Sequence, residues 1–276
     1  MRNDDLYNPR WTPPHCPNRN CRFHDHLQDG WHWIRFGHYR RRTEPRRLRR
    51  FKCKHCGVTF SCQTFSTTYW LRRPDIFLQL IAKVTSGAAN SQLARDLDVA
   101  PSTIDRQIYR LGRHCMLFHA KQMEHHAPFA DVAVDGFVTF EHSQYHRFHF
   151  HLAVDRQTSF VPFFTDSEVR RSGKMTDPQK RKREQIERIR GRPDPQAVRK
   201  DVQELLEYVT DGAEAMTIHS DDHKAYPRAI GAVPCRIRHI VTSSKVLRDR
   251  LNKLFEINLL DLLVRHWQAE HKRETI

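Results

Sequence analysis

The chain is 276 residues long and carries a formal net charge of +15 at pH 7, with a pI near 9.8. That length allows two or three small modules, at least one with a real core. The charge favours a polyanionic partner, most simply nucleic acid. The N-terminal stretch MRNDDLYNPRW lacks the apolar segment of a secretory signal, and no apolar run reaches membrane-spanning length. Seven cysteines without an export signal imply a reducing cytosol, where cysteine pairs mean metal more often than disulfide.

Residues 1–70 are rich in Arg, His, Cys and aromatics. Two close pairs, Cys16/Cys21 and Cys53/Cys56, supply the four thiolates that a tetrahedral Zn²⁺ takes from a ribbon, each pair on a tight turn. Gly57 after the second pair, with Phe51 and Phe60 around it, suits a knuckle running into a strand. His15, His24, His26 and His55 are close enough in sequence to replace a cysteine; Cys62 reads as a packed thiol. Between the pairs lies WHWIRFGHYRRRTEPRRLRRF, whose aromatics and branched residues suggest short strands. Its arginines (Arg40, Arg41, Arg42, Arg46, Arg47, Arg49 and Arg50) exceed the needs of a solvated face. A ribbon presenting them to phosphates accounts for both features, with a disordered basic loop as the alternative.

The next segment, residues 71–118, has helical periodicity. PDIFLQLIAKVTSG puts Ile76, Leu80, Ile81 and Val84 on one face. Asn90 or Ser91 caps a helix carrying Leu93, Ala94 and Leu97; Asp98-Val99-Ala100 makes a short turn, and Pro101-Ser102 opens another helix. That helix buries Ile104 and Ile108 and exposes Ser102, Thr103, Arg106, Gln107 and Arg110. A short helix, a tight turn and a polar second helix make a helix-turn-helix that reads the major groove, with a generic helical hairpin as the plainer option.

From residue 128 to 276 strands and helices alternate. FADVAVDGFVTFE, QYHRFHFHLAVDR and TSFVPFFTD read as three successive strands, the histidines of the second forming a polar strand face. A charged insertion near 167–200, mobile and partly helical, follows. Then come helix VQELLEYVT, strand AMTIHSD, helix HKAYPRAIG, strand CRIRHIV and a long helix through LFEINLLDLLVRHWQAEHK. This βββ-α-β-α-β-α order is that of a ribonuclease-H-like mixed α/β domain, so the whole chain is expected to be a multidomain α+β protein.

Asp135 sits inside the apolar strand VAVDGF, and Asp221 closes the strand AMTIHSDD with Asp222 beside it. A carboxylate in such a place costs several kcal/mol unless it meets a cation or strong donors. Two of them on apolar strands make a natural site for Mg²⁺, or Mn²⁺, which takes oxygen ligands.

With these motifs in order, the chain resembles the DDE transposases of bacterial insertion sequences, in the group with an N-terminal zinc ribbon and helix-turn-helix. The residues that carry the resemblance are FKCKHCGVTFSCQTF, ARDLDVAPSTIDRQI, VDGF at Asp135, SDDHKAY from Ser220 to Tyr226, and the tail NKLFEINLLDLLVRHWQAEHKRETI. The resemblance implies Asp135 as the first acid and Asp221 as the second. It implies a third on the last helix: Asp261, followed by Arg265 at i+4, with Glu256 close behind. It implies double-stranded DNA, both element ends and target, as the partner of a homodimer or larger assembly in a bacterial cytoplasm, associated with the nucleoid. Family members usually continue past an RET-type motif into a further helix, whereas this chain stops at Ile276, so a C-terminal truncation is expected.

Overall fold

A computed structural model describes residues 11–24, 30–42, 44, 46–124, 126, 128–141 and 143–268. The chain divides into two compact units, Met1–Ala82 with Leu97–His114, and Lys83–Asp96 with Cys115–Ile276. Among the described residues it is a mixed α/β protein with seven α-helices and eight strands in two sheets.

The first unit holds an antiparallel sheet of β1 (Trp33–Arg40), β2 (Arg47–Cys53) and β3 (Thr59–Ser61), in that order. The β1–β2 register shifts between Arg35 and His38, where Gly37 takes a φ of +71° that other residues resist. The buried set is small: Phe23, Phe51 and Phe60 pack with Cys16, Cys21 and Cys53, edged by Trp11, Trp31 and Trp33. A core of this size needs a cross-link or metal to hold it.

Three helices follow in sequence: α1 (Ile76–Val84), α2 (Asn90–Asp96) and α3 (Pro101–Met123). In α1 the buried residues are Ile76, Phe77 and Leu80, while Ile81 and Val84 of the expected face are only half-buried. Asp98 makes the turn after α2 with a φ of +49°. α2 buries Leu93 and Ala94, as its spacing requires.

In the second unit a five-stranded sheet runs β6-β5-β4-β7-β8. β4 (Asp131–Phe140), β5 (Arg147–Asp155) and β6 (Phe164–Val169) are antiparallel neighbours; β7 (Ala215–Ser220) and β8 (Arg236–Val241) join parallel to β4. The helices are α4 (Asp177–Arg190), α5 (Ala197–Val209), α6 (Ala225–Ile230) and α7 (Phe255–Trp267). Alternation along β4 sends Val132 and Val134 to one side, packed with Val202, Leu205 and Leu206 of α5 and Ala229 of α6. Ala133 and Phe137 go to the other side, against Ile257 and Leu260 of α7.

One of these expectations shifts. The third strand begins at Phe164 rather than in TSFVP. Ser159 donates to Asp155 O in a turn with φ +59°, and Pro162 has no N–H for a ladder. Its inward residues are polar, Thr165 and Ser167 at 8% and 1% exposed, so hydrophobic alternation could not mark it. The charged insertion is partly helical, as its sequence suggests: it carries the 14-residue helix α4, started by a capping box of Thr176 and Gln179 and tied back by Arg170 to Glu187. The last helix ends at Trp267; its expected continuation beyond residue 268 lies outside the described residues.

Candidate functional site

Asp135 lies on the α7 side of β4, in line with Ala133 and Phe137. Its Oδ1 accepts the Gly136 N–H at 2.7 Å. Burial, then the carboxylates of Asp221 and Asp261, raise its pKa from 3.8 to about 6, against the Gly136 N–H and the Arg248 guanidinium, which lower it. Asp221 at the end of β7 and Asp261 on α7 are thus the carboxylates that act on Asp135 of β4. Asp221 Oδ1 accepts the His223 N–H at 2.9 Å, and Asp222 is exposed. Asp261 Oδ1 accepts from Arg265 Nε at 2.8 Å, and the Arg265 guanidinium stacks 4.9 Å from the centre of the Phe137 ring. The three carboxylates do not close to within 4.8 Å of one another as the cysteines do.

Helical geometry separates the two candidates for the third acid. Asp261 is one turn from Ile257 and Val264 on the face that packs against β4. Glu256 opens α7 elsewhere: its Oε2 is 3.4 Å from Arg156 Nε, and Arg156 Nη1 is 3.0 Å from Asp131 Oδ2. Asp131 also meets His219 at 2.9 Å. Asp131 is four residues before Asp135 on β4, a span of roughly 13 Å at strand rise. Glu256 thus belongs to an ion-pair cluster at the N-terminal end of the strand, away from Asp135.

The polar face that the β5 histidines form is largely covered, with His149 half-buried and His151 buried. His151 is 0% exposed, and its Nε2 is 2.9 Å from Ser167 Oγ, which donates to Asp201 Oδ2 at 2.5 Å. The His149 ring lies tilted beside His151, 4.4 Å between centres, and meets His223 edge-on at 6.1 Å. Burial, then neighbouring His223, holds His149 near 4; burial, then His149 and His223, holds His151 near 3. Room for His149 comes from Gly136: a Cβ there would meet Phe150 O at 2.3 Å and His149 Nε2 at 2.9 Å. This chain from Asp201 to His149 had no sequence signal, because Ser167 and Asp201 come from separate elements.

The ligand atoms of Cys16, Cys21, Cys53 and Cys56 lie within 4.8 Å of one another, a cluster that could hold a metal ion. Turns shape it: Cys21 N–H donates to Asn18 O, and Gly57 N–H to Cys53 O, with Gly57 at φ +75°. Burial raises the Cys53 thiol, but the Cys56 N–H, the Trp31 indole N–H at 3.3 Å and the His55 N–H outweigh it and bring it to about 7. Burial pushes the Cys16 and Cys21 thiols up, so it is the four-sulfur donor set itself that suits a soft tetrahedral ion. The candidate replacement histidines are engaged elsewhere: His15 and His24 turn Nδ1 to Cys16 O, and His55 meets the Phe23 ring. His26 lies outside the described residues. Cys62 is 5% exposed and stands apart from the cluster.

Of the expected DNA-contacting residues on α3, Ser102 and Arg106 are exposed and Thr103 is half-exposed. Gln107 is not presented: it is 8% exposed. It follows Ile104 by three residues and so shares its inward stripe, whereas Ile108 is only half-buried. Arg110 is half-buried with its Nε on Thr67 O at 3.0 Å. On the ribbon Arg47 is exposed and Arg49 half-buried; Arg46 pairs with Glu44, and Arg50 lies 5.2 Å from the Phe36 ring centre.

No helix among the described residues is long and apolar enough to cross a membrane. No protein-family model matches the chain, and no curated protein does. A solved structure to which it is similar is the cryoEM structure of the simian T-cell lymphotropic virus intasome in complex with PP2A regulatory subunit B56 gamma. The match covers 72% of this chain and 74% of the other, at 14% identity and a TM-score of 0.23.

Proposed function

We propose that this chain is a DDE-type DNA transposase, binding the terminal inverted repeats of an insertion sequence and catalysing Mg²⁺-dependent strand cleavage and transfer. The observation that carries it is the gathering of Asp135, Asp221 and Asp261, with Asp135 held near pKa 6 by burial and by the other two carboxylates. Support for a ribonuclease-H-like domain comes from the sheet order β6-β5-β4-β7-β8, three strands antiparallel and two parallel, with helices on both faces.

An all-oxygen donor set with surplus negative charge fits Mg²⁺ or Mn²⁺, held by Asp135, Asp221 and Asp261. When bound, such ions activate a water or 3′-hydroxyl and stabilise the leaving oxygen of a phosphodiester. Arg265 orients Asp261, and Arg248 offers a cation to the scissile phosphate beside Asp135. Cys16, Cys21, Cys53 and Cys56 hold a structural Zn²⁺. Ser102, Thr103 and Arg106 face the bases, and Arg46, Arg47, Arg49 and Arg50 the phosphates. DNA ends and target are engaged by a homodimer or larger assembly.

The test is cleavage of DNA carrying the element ends, in Mg²⁺ or Mn²⁺. Asp135→Asn, Asp221→Asn and Asp261→Asn should each abolish cleavage and weaken Mn²⁺ binding, leaving DNA binding largely intact. Glu256→Gln should still cleave. Retained cleavage by Asp135→Asn would remove the acid site from the chemistry. Sequence-specific binding by a parent protein that never cleaves would instead identify a DNA-binding regulator.

A further inference from the structure

Away from the carboxylates, the first unit contains a cavity of about 860 Å³, within the size range of small-ligand sites. Its lining combines aromatic rings (Tyr39, Tyr69, Trp70) with guanidinium groups (Arg42, Arg72) and the amide of Gln63. Trp70 is 82% exposed, an unusual place for the largest apolar side chain. Its backbone sits at φ +64°, a left-handed conformation that costs energy for a bulky residue. Successive turns hold it there: Tyr69 N–H donates to Ser66 O, and Leu71 N–H to Thr68 O. Tyr69 meets Trp70 edge-on, 5.9 Å between centres, which leaves a Trp70 face open.

Gln63 is 3% exposed. Its Nε2 donates to Thr68 Oγ1 at 2.9 Å, while its Oε1 is buried without a partner. A buried acceptor left unsatisfied is uncommon and points to a donor that arrives with a ligand.

We propose that this cavity binds one unpaired nucleotide, with its base stacked on Trp70, its phosphate held by Arg42 and Arg72, and an exocyclic amino group donated to Gln63 Oε1. Stacking on an aromatic face is available to every base, and paired arginines suit a phosphate. The lone acceptor adds selectivity, since adenine and cytosine offer an amino group on the edge where thymine offers a carbonyl. Arg41 also borders the cavity, but its guanidinium is engaged by Glu44 O. The same chemistry is met in a free nucleotide or in a base displaced from a duplex. It requires neither the acids nor cleavage, so it stands or falls apart from the transposase assignment.

The experiment is titration, without divalent metal, of dAMP, dCMP and dTMP, of a blunt duplex, and of that duplex with a single unpaired adenine or thymine. The expected result is tighter binding of the adenine-bulged than the blunt duplex, with adenine and cytosine forms preferred over thymine. Trp70→Ala should reduce the bulge preference by about fivefold or more, and Trp70→Phe should restore most of it. Asp135→Asn should leave it unchanged. Saturable mononucleotide binding at low concentration marks the free nucleotide as the ligand, and binding of the bulged duplex alone marks the displaced base. Equal affinity for blunt and bulged duplexes, with no mononucleotide binding, overturns the proposal. So does a bulge preference that survives Trp70→Ala.

Discussion

Asp261 and Glu256 stand on one helix, yet neighbouring charges give them different tasks. Asp261 joins the acid group around Asp135, and Glu256 neutralises Arg156 with Asp131. His151 illustrates burial acting on a cationic group. Its folded pKa near 3 lies below the ordinary 6.5, so the unfolded chain takes up the proton first. Its contribution to stability is therefore complete above pH 6.5 and is lost as pH falls toward 3. Replacing it with Gln, which can still bond Ser167, should reduce the stability lost between pH 7 and pH 4 by about 1–3 kcal/mol. Urea midpoints of parent and variant at the two pH values measure this, and identical losses would place the acid sensitivity elsewhere.

At the level of elements, β4 and β5 approach closely where Gly136 pairs with His151. Gly136→Ala forces a methyl against the Phe150 carbonyl, which cannot swing aside as a side chain would. The expected cost is about 1–3 kcal/mol, with Asp135 displaced and Mn²⁺ affinity lowered; thermal melting and metal titration read the two effects. A metal at the four cysteines would steady the ribbon for a different reason, since its buried set consists largely of the cysteines and a few aromatic rings. The purified protein should contain about one zinc per chain. Chelation or Cys53→Ser should unfold the ribbon while leaving the five-stranded sheet intact, which amide hydrogen exchange can resolve by segment. A metal-free ribbon with full protection would contradict this. α3 is more committed to packing than its polar sequence suggests, with Gln107 inside and Arg110 bound to a backbone carbonyl. Arg106→Ala should accordingly cost about 1–3 kcal/mol of specific over random DNA binding, and Gln107→Ala should act through stability instead.

Across the whole molecule, most of the +15 charge lies in the first unit, around the arginines of residues 40–50, and the smaller part in the second. DNA affinity should fall steeply with salt, the logarithm of the binding constant declining linearly with that of salt concentration. Replacing Arg46, Arg47, Arg49 and Arg50 together with Gln should flatten that slope by up to about 3–4 if all four meet phosphates. An unchanged slope would assign phosphate binding to other segments, α4 foremost, with its exposed Lys180 and Arg181.

Local signals determined much of this protein. Cysteine spacing marked the four-sulfur cluster, the 3.6-residue period marked the helices, and two acids isolated on apolar strands marked Asp135 and Asp221 as unusual. These are short-range properties, written in neighbouring residues. Other features were decided only when distant segments met. Thr165 and Ser167 turned polar side chains inward because Asp201 of α5 offered partners, so β6 was not where hydrophobicity suggested. Gln107 went inside because its register on α3 follows Ile104. Asp261 was separated from Glu256 by the packing of α7 across β4, with Arg156 and Arg265 claiming one acid each. Electrostatic energy depends on distance through space, and separation along the chain does not encode it.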